Sequence, residues 1–504
     1  MDLASLSSIA LKAYLIVLAL VCIYGVHRYF LVMLFYRVKR RAPRQAGQFG
    51  ELPTVTVQLP MFNEQYVARR IIEQACRIDY PRDRLEIQVL DDSTDETQQI
   101  ARETVARLRQ QGYDVVYLHR GHRVGYKAGA LAEGLRRARG EYIVIFDADF
   151  VPPEQILRET IHYFTDPGVG MVQTRWAHLN RDVSLLTAAQ AVLLDGHFVI
   201  EHTARNRSGR FMSFNGTAGI WRKSAILDAG GWQHDTLTED LDLSYRAQLR
   251  GWKFVFLPEL TSPAELPPEM NAFKAQQHRW TKGGAQTCVK LLPQVLRSET
   301  RWWVKLEAFF HLTSGLVYIL IVLLSLLVGP ALYAKLVPGV AQPTWVTVVE
   351  FVLFIVGFGS GLLFYVCSQR ELHKSWFASV KYVPALMAVG IGIAFNNAVA
   401  AMEGFFGRTG EFVRTPKCGD VAHAGEQWRQ RLGGFRSRKR WQAWAELGMA
   451  VYLTACVAGF FFYEDWVRRV SGAIPFLLIF IVGYYYVAFQ TFYTGWMSRR
   501  RAAA

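Results

Sequence analysis

Three acidic pairs stand at the ends of apolar runs in the first half of the chain. They are Asp91 and Asp92 after QVL, Asp147 and Asp149 around the end of IVIF, and Glu239 and Asp240 in the run DTLTEDLDL. Carboxylates placed where strands run out into loops are ligands that hard cations prefer, and a cation held there can neutralise a diphosphate. The pattern therefore favours a site for a metal ion and a phosphorylated ligand.

Each of these motifs also has an ordinary structural explanation. Aspartate is common in turns, so the pair Asp147 and Asp149 alone gives weak support for a metal site. Asp91 and Asp92 could bind a base or ribose, or could cap the helix begun by STDET. Lys127 precedes an Ala-rich helix, where it could hold a phosphate at the helix N-terminus or be a plain surface lysine.

The remaining two motifs offer a candidate base and a candidate leaving-group site. A carboxylate of Glu239 or Asp240 in a partly dry pocket can accept the proton of an attacking hydroxyl. With Thr238, the same pair can equally form the capped first turn of a helix. In QQHRW, at 276–280, arginine can stabilise a leaving diphosphate and tryptophan can stack on a sugar ring, or the run can be an amphipathic helix. No motif decides by itself, so their joint order and spacing carry the interpretation.

The composition indicates a chain with both membrane and soluble parts. Of its 504 residues 51% are hydrophobic, and these fall in blocks. The formal charge is +15, and much of it lies in basic runs beside apolar spans, at 37–44, 429–441 and the C-terminus. That placement favours the positive-inside pattern over nucleic-acid binding. Six scattered cysteines without a CxxC pair predict neither a disulfide framework nor a zinc site.

Five apolar stretches predict membrane spans. They are 14–36, 312–328, 346–366, 444–462 and 474–492. The basic runs place the N-terminus outside and the central region and C-terminus in the cytoplasm. The first span contains His27 and Arg28, which must face protein or an interface. Segment 382–406 is apolar but carries two asparagines and Glu403, which favours an interfacial or re-entrant helix pair over a further span.

Strands alternate with helices between the first two spans. Strands are predicted at 54–59, 85–90, 115–118 and 142–146, with helices at 66–78, 96–111 and 128–139. This alternation predicts an α/β domain with a parallel sheet, and ligands are expected at the carboxyl ends of its strands.

An amphipathic stretch follows this domain and divides it from the later spans. Residues 290–308 carry tryptophans beside lysines and arginines, which predicts an interface helix that ties the domain to the bilayer. The resulting division is an N-terminal anchor at 1–44, the α/β domain at 45–289, the interface helix at 290–308, a membrane hairpin at 309–370, cytoplasmic interfacial helices at 371–441 and a second hairpin at 442–504.

Together the motifs resemble the signature of processive family 2 glycosyltransferases, the group of cellulose, hyaluronan and chitin synthases. The matching elements are Asp91-Asp92, Asp147-x-Asp149, Thr238-Glu-Asp240 and Gln276-Gln-x-Arg-Trp280. The runs FNGTAGIWRKSAILDAGGW and AELPPEMNAFKAQQHRW are more specifically similar to plant cellulose-synthase-like mannan and glucan synthases and their bacterial relatives. The resemblance implies a cytoplasmic GT-A domain inserted between transmembrane helices. It also implies inverting transfer from a nucleotide sugar with Mg2+ or Mn2+ as cofactor.

The resemblance implies a role for each matching residue. The residues expected to bind the nucleotide sugar, with Lys127 added from its place before a helix, are Pro60, Glu64, Asp91, Asp92, Lys127, Asp147, Gln276 and Arg279. Asp147 and Asp149 are expected to hold the metal. The residues expected on the acceptor side are Asn215, Gly216, Thr217, Glu239 and Trp280. Asp240 is expected to be the general base.

A further match lies downstream, in the run FVRTPK at 412–417. It resembles the gating-loop pattern FxVTxK, in which a cytoplasmic loop closes over the nucleotide. Phe412, Thr415 and Lys417 match that pattern, whereas Arg414 stands where the pattern has valine.

The preferred hypothesis is a membrane-embedded, processive β-glycan synthase that uses UDP-glucose and passes its polymer through its own spans. A mannan or glucomannan synthase that uses GDP-mannose is one alternative. A non-processive lipid glycosyltransferase of the ceramide type is another, and a polysaccharide transporter without chemistry is a third. The expected partners are the nucleotide sugar, the growing polysaccharide and membrane lipids, with no nucleic acid. Product length separates a polymerase from a lipid transferase, and metal-dependent nucleotide release excludes a transporter.

Overall fold

A seven-stranded sheet forms the centre of the soluble domain. The computed structural model describes residues 3–336, 344–373, 375–407, 417, 419 and 440–502. The strands are β1 (Val55–Met61), β2 (Leu85–Asp91), β3 (Val115–His119), β4 (Tyr142–Ile145), β5 (Val169–His178), β6 (Gly219–Arg222) and β7 (Lys253–Ala264). Their order across the sheet is β3-β2-β1-β4-β6-β5-β7. The four strands predicted from the sequence are confirmed, each within a residue or two of its predicted ends.

The sheet is mixed, so the prediction of a parallel sheet is wrong at one strand. β1 pairs in parallel with β2 and β4, and β2 pairs in parallel with β3. β6, however, runs antiparallel to both β4 and β5. A parallel neighbour needs a crossover that returns the chain to the starting edge of the sheet. The loop before β6 already lies at the carboxyl end of β4, where Ala218 N donates to Ile145 O (2.8 Å). β6 therefore begins at that end of the sheet and runs antiparallel to β4.

Both faces of the sheet are covered. Along β4, Tyr142 and Val144 pack into the core on one face, and Ile143 and Ile145 pack into the core on the other. Side chains alternate between faces along a strand, so a strand that is apolar at every position is buried on both sides. A ligand can therefore reach the functional groups of this sheet only where its strands end.

The helices of the first half surround the sheet, apart from the N-terminal one. They are α1 (Leu3–Val38), α2 (Ala68–Cys76), α3 (Thr97–Gln110), α4 (Tyr126–Arg137), α5 (Ile156–Thr160), α6 (Leu185–Asp195), α7 (Thr203–Arg207), α8 (Lys223–Asp228) and α9 (Glu239–Leu249). A π-helical segment, Gly196–His202, joins α6 to α7 without a break. Short 3-10 turns occur at Arg82–Arg84, Ile161–Thr165 and Arg181–Val183.

The second half is helical throughout its described residues. The helices are α10 (Met270–Arg297), α11 (Trp302–Leu312), α12 (Leu316–Leu336), α13 (Thr344–Leu372), α14 (Trp376–Val380), α15 (Val383–Gly392), α16 (Ala394–Phe405), α17 (Arg440–Phe460), α18 (Trp466–Arg469) and α19 (Ile474–Ala502), with a 3-10 turn at Ser471–Ala473. Among the described residues, five helices are long and apolar enough to cross a membrane: Ser7–Val38, Leu316–Leu336, Val346–Leu372, Trp441–Phe460 and Ser471–Trp496. By length and composition, this is the predicted number of spans.

Residues 290–308 form parts of two helices, so the prediction of one interface helix there is wrong. α10 continues to Arg297 and α11 begins at Trp302. The Ser298 hydroxyl donates to Val295 O (2.6 Å) and accepts from Thr300 N (3.4 Å). Such side-chain bonds to nearby backbone groups compete with the helical hydrogen bonds, and here they accompany the end of α10.

The segment predicted as an interfacial or re-entrant pair is a bent pair of helices. The stretches Trp376–Gly392 and Ala394–Phe405 meet at an angle of 49°. Asn396 Nδ2 donates to Lys274 O (3.1 Å), and the Glu403 carboxylate contacts His278 Nε2 (3.1 Å). The polar groups of the pair thus meet partners in α10. Whether the pair crosses the membrane stays a prediction.

Candidate active site

The carboxyl ends of β1, β2 and β4 lie together because these strands are parallel. The register sets Pro60 beside Leu90 and Met61 beside Asp91. The edge opens into a cleft of about 1220 Å³ that is continuous with solvent. The cleft is lined by most of the predicted site residues, namely Pro60, Glu64, Asp92, Lys127, Asp147, Asp149, Asn215, Gly216, Glu239, Asp240, Gln276, Arg279, Trp280 and Lys417.

The two aspartates at the end of β2 lie at different depths beneath the cleft surface. Asp91 is fully buried, and its carboxylate accepts hydrogen bonds from Tyr117 Oη (2.6 Å) and Ser93 N (2.9 Å). Asp92 reaches the cleft surface, where its carboxylate pairs with Arg120 through Nε (2.7 Å). The structure thus sets Asp92 where a ligand can touch it and Asp91 beneath it. The nucleotide contact expected of Asp91 stays a prediction.

Lys127 forms the link between the end of β4 and the loop before β6. Its Nζ donates to Asp147 Oδ1 (2.5 Å) and to Gly216 O (2.9 Å). The backbone N of Asp147 donates to Thr217 Oγ1 (2.9 Å), and Thr217 is buried beneath the cleft surface. Burial alone would lower the pKa of Lys127, but Asp147 and its acidic neighbours outweigh it and raise that pKa. Lys127 is therefore a charged group of the site and not the plain surface lysine of the alternative.

The carboxylate of Asp149 has one oxygen that is paired and one buried oxygen that a bound cation would satisfy. One carboxylate oxygen, Oδ2, pairs with the Lys417 ammonium. The other, Oδ1, is buried and accepts no hydrogen bond from any described residue. A buried carboxylate oxygen without a donor is costly, and a divalent cation would compensate it. No cluster of three or more His, Cys, Asp or Glu that could hold a metal occurs in the described part of the chain. Asp147 and Asp149 would therefore need the diphosphate to complete the coordination of a cation.

Glu239 and Asp240 begin α9 and face the cleft from the opposite side. Thr238 occupies the N-cap position and the acidic pair lies in the first turn, as the alternative predicts, but the Thr238 hydroxyl lies 3.2 Å from Thr287 Oγ1 and makes no capping hydrogen bond. Burial and, after it, the negative charge of the neighbouring Glu239 raise the pKa of Asp240 to about 7. Burial also raises the pKa of Glu239. A carboxyl with a pKa near neutrality can accept a proton under physiological conditions.

The backbone of Gly216 touches this carboxylate. Gly216 has φ of 80°, a left-handed conformation that favours glycine, and a Cβ added there would lie 2.8 Å from Asp240 Oδ2. The loop before β6 is thus shaped around Asp240 on one side and around Lys127 on the other.

α10 carries Gln276, Arg279 and Trp280 along one side of the cleft. Burial lowers the pKa of Arg279, and the nearby carboxylates of Glu239 and Asp147 oppose that effect. The helix approaches Thr238 closely, since a Cβ on Gly283 would lie 2.5 Å from Thr238 Cγ2. The amphipathic-helix reading of QQHRW is correct as local structure, and the same helix presents its polar residues to the cleft.

The cleft also contains residues that the sequence reasoning missed. Trp176 and His178 end β5, and the Trp176 ring lies 6.5 Å from the Trp280 ring, centroid to centroid. Arg123 lies over the Phe62 ring, with Cζ 3.4 Å from its centroid. Glu265, which pairs with Arg70 at 2.6 Å, follows β7. A polar or aromatic residue at the end of a strand was the signal used for the acidic pairs, and the same signal applies to Trp176, His178 and Glu265. Neither β5 nor β7 was predicted.

The predicted gating loop is only partly described. Phe412 and Thr415 lie outside the described residues. Lys417 is described and reaches the cleft through its ion pair with Asp149.

Comparisons with known proteins identify the family. The model of a glycosyltransferase-like family 2 domain matches residues 53–283. A glucomannan 4-beta-mannosyltransferase of Arabidopsis thaliana is 38% identical over 433 residues, which are 81% of this chain and 76% of the relative. The chain belongs to glycosyltransferase family 2. Another relative of this glycosyltransferase, a probable glucomannan 4-beta-mannosyltransferase of rice (Oryza sativa subsp. japonica), is 41% identical over 388 residues, 75% of this chain and 67% of the relative.

A solved structure supports the fold of this glycosyltransferase. It is a mannosyltransferase of Pyrobaculum calidifontis in complex with GDP-Man and Mn2+, with a TM-score of 0.52 and 20% identity. The match covers 78% of this chain and 100% of that chain. The predicted GT-A architecture is confirmed. The transporter hypothesis is set aside, because the glycosyltransferase family gives the chain an enzymatic identity.

Proposed function

We propose that this glycosyltransferase transfers mannose from GDP-mannose to the 4-hydroxyl of a growing β-mannan or glucomannan chain, with inversion at the anomeric carbon. The position of Asp240 carries the proposal. It is a half-buried carboxyl in the cleft that Asp147 and Asp149 also line, and its pKa is raised to about 7. A base on one side and a diphosphate site on the other are the two requirements of a single displacement.

The choice of donor follows the relatives. Eight relatives at 34–42% identity are named as glucomannan 4-beta-mannosyltransferases or probable glucomannan 4-beta-mannosyltransferases. These relatives support GDP-mannose, the alternative stated from the sequence, over the UDP-glucose that was preferred there. The motifs themselves do not distinguish the donors, because both sugars carry the same diphosphate.

The residues divide the reaction between them. Asp240 would accept the proton of the acceptor hydroxyl, while Arg279 and Lys127 would hold the negative charge of the departing diphosphate. Mg2+ or Mn2+, held by Asp147 and Asp149, supplies further neutralisation of that diphosphate when it is bound. Pro60, Glu64 and Asp92, above the buried Asp91, would contact the nucleotide.

The acceptor lies on the other side of the cleft in this proposal. Trp280 would stack on the terminal sugar, with Asn215, Gly216 and Glu239 around it and Thr217 as the buried support. The five apolar helices would embed the enzyme in a membrane, with the cleft on the cytoplasmic side as the basic runs predict. Lys417 would take part in closing the cleft over the nucleotide.

A donor panel tests the proposal. Membranes containing the chain are incubated separately with labelled GDP-mannose, UDP-glucose and UDP-N-acetylglucosamine, and the products are digested with linkage-specific hydrolases. We expect incorporation from GDP-mannose into a polymer that an endo-β-1,4-mannanase degrades. Incorporation from UDP-glucose alone, into a product resistant to that enzyme, would overturn the donor assignment.

The same experiment separates a polymerase from the lipid-transferase alternative. A polymer of many sugars supports chain elongation. One labelled sugar in the organic phase, with no longer product, would contradict it and favour transfer to a lipid.

A further inference from the structure

A chain of buried and half-buried polar side chains connects the first membrane helix to the loop before β6. Its members, in order of contact, are His27, Glu307, Arg205, Glu201, His197 and Asn215, and we call it the buried polar chain. It begins in α1, passes through α11, α7 and the π-helical segment, and ends in the loop that contains Gly216. None of these contacts belongs to the reaction described above.

The contacts are short and the central charges are buried. His27 Nε2 lies 3.0 Å from Glu307 Oε2, and Arg205 Nε donates to Glu307 Oε1 (2.9 Å). The side chains of Glu307 and Arg205 are 2% and 3% exposed. Arg205 Nη1 also lies 3.4 Å from Glu201 Oε2. A buried arginine between two carboxylates is stable only while both partners stay in place, because an uncompensated buried charge is costly.

The hydrogen bonds at the far end fix the orientation of the Asn215 amide. The carboxylate of Glu201 can only accept, so His197 donates to it from Nδ1 (2.9 Å) and accepts at Nε2 from Asn215 Nδ2 (3.0 Å). His202 then donates from Nε2 to Asn215 Oδ1 (2.5 Å). Burial would raise the pKa of Glu201, but Arg205 and His197 outweigh it and lower that pKa, which keeps Glu201 ionised.

The π-helical segment makes this arrangement geometrically feasible. His197 and His202 are five residues apart, and in an α-helix such residues point about 140° away from each other. In the wider π-helical turn their rings lie 4.3 Å apart, centroid to centroid, and both reach the same amide.

The orientation of Asn215 bears directly on the cleft. The next residue, Gly216, receives the Lys127 ammonium on its carbonyl (2.9 Å) and lies against the Asp240 carboxylate. A shift of Asn215 would therefore move groups that touch both the candidate base and the candidate diphosphate site.

We propose that His27, in the first membrane helix, is a positioning residue that sets the Asn215 loop through the buried polar chain. The first span is then part of the acceptor site and not only an anchor. The inference rests on the proposed transfer reaction, in which Asn215 faces the acceptor. It also explains why a helix that lies among apolar neighbours contains a histidine.

The test uses the full chain, purified in detergent, with the variant His27→Phe. Phenylalanine keeps the stacking on Phe310, whose ring lies 4.2 Å from that of His27 at 12°, but it removes the contact with Glu307. The matched control is Lys39→Met, directly after the same helix, because Lys39 pairs with Glu371 in α13 (2.8 Å) and has no part in the buried polar chain.

Hydrogen–deuterium exchange reads the loop without relying on the transfer reaction. We expect His27→Phe to speed exchange in the peptide 211–217 roughly threefold or more, while peptides from β1 and β2 and the Lys39→Met protein remain at wild-type rates. Unchanged exchange in 211–217, or an equal rise throughout the domain, would overturn the proposal. If His27→Phe does not fold, Arg205→Lys replaces it, since lysine keeps the charge but cannot span both carboxylates.

Kinetics then distinguish positioning from a general loss of structure. With mannohexaose as acceptor, His27→Phe should raise the acceptor KM and leave the KM for the nucleotide sugar within about twofold of wild type. In an Asn215→Ala background the same substitution should have no further effect, because the two act through one path. Independent, multiplying effects would contradict the inference. Altered exchange in a protein that uses none of the three donors would contradict the proposed function alone.

Discussion

The two acidic pairs that face each other across the cleft look alike in sequence but are treated differently by the structure. Each aspartate of the pair after β4 touches an ammonium group, Asp147 that of Lys127 and Asp149 that of Lys417. In the pair that begins α9, Glu239 is buried and Asp240 is half-buried beside it, and the pKa of each carboxyl is raised. The first pair is held beside cations, whereas the second pair is prepared to take up a proton.

This difference teaches that the role of a carboxylate depends on what surrounds it. A nearby cation favours the charged form of an acid, whereas burial and a like charge favour the neutral form. The two walls can therefore supply a cation site and a base from the same residue type.

The largest effect is expected from Asp240→Asn. The amide cannot accept the acceptor's proton, so the transfer rate should fall about a thousandfold, while binding of the nucleotide sugar changes little. Transfer is measured with the donor that the wild type uses, and nucleotide binding by calorimetry. The control is Asp235→Asn on the same loop, whose exposed carboxylate pairs with Lys290 (2.8 Å). Wild-type transfer by Asp240→Asn would show that the base is another group.

The opposite wall is tested by Asp149→Asn together with metal removal. Chelation should stop transfer, and Mn2+ or Mg2+ should restore it. Asp149→Asn should lower transfer about a hundredfold and shift the metal dependence to higher concentration, since one anionic ligand is lost. Asp166→Asn, which affects a carboxylate paired with Lys253 away from the cleft, is the control. Full activity after thorough chelation would remove the metal from this wall.

A smaller effect is expected where the two walls are joined, at Gly216. Gly216→Ala would place a methyl group 2.8 Å from Asp240 Oδ2 in a left-handed backbone conformation. The loop must shift, and a small misplacement of the base should cost about tenfold in transfer rate. Gly209→Ala is a control for the backbone effect, since φ is also positive there (70°) but no atom lies within 4 Å of the added carbon. Equal losses in both variants would mean that strain alone, and not contact with Asp240, is responsible.

An effect of similar size is expected from pH. The ionised form of Asp240 is the base, and its pKa is raised to about 7. Transfer should therefore rise with pH and level off above neutrality, and at pH 6 it should be about a tenth of its maximum. Rates are measured at saturating donor and metal, so that the profile reports the enzyme–substrate complex. A rate that is flat between about pH 5.5 and 7.5, or that falls as pH rises, would contradict the role of Asp240.

Much of the architecture could be predicted because its signals are local. The apolar runs that form β1 to β4 and the five apolar spans depend only on neighbouring residues. The direction of β6 could not be predicted, because it depends on where the preceding loop lies in space. The division of 290–308 into two helices was missed because the amphipathic pattern continues across Ser298, whereas the helical backbone conformation ends there.

By itself, the sequence determined the order of the motifs, the membrane spans and the family, since each is carried by residue types at fixed spacings. Only the tertiary structure decided how those residues differ from one another. Asp91 lies beneath Asp92, and Asp240 lies beside the like charge of Glu239 while Asp147 meets Lys127. The contact between His27 and Glu307 joins residues 280 positions apart. Burial, charge pairing and a π-helical turn arise from such distant contacts, and they set the chemistry that a local pattern leaves open.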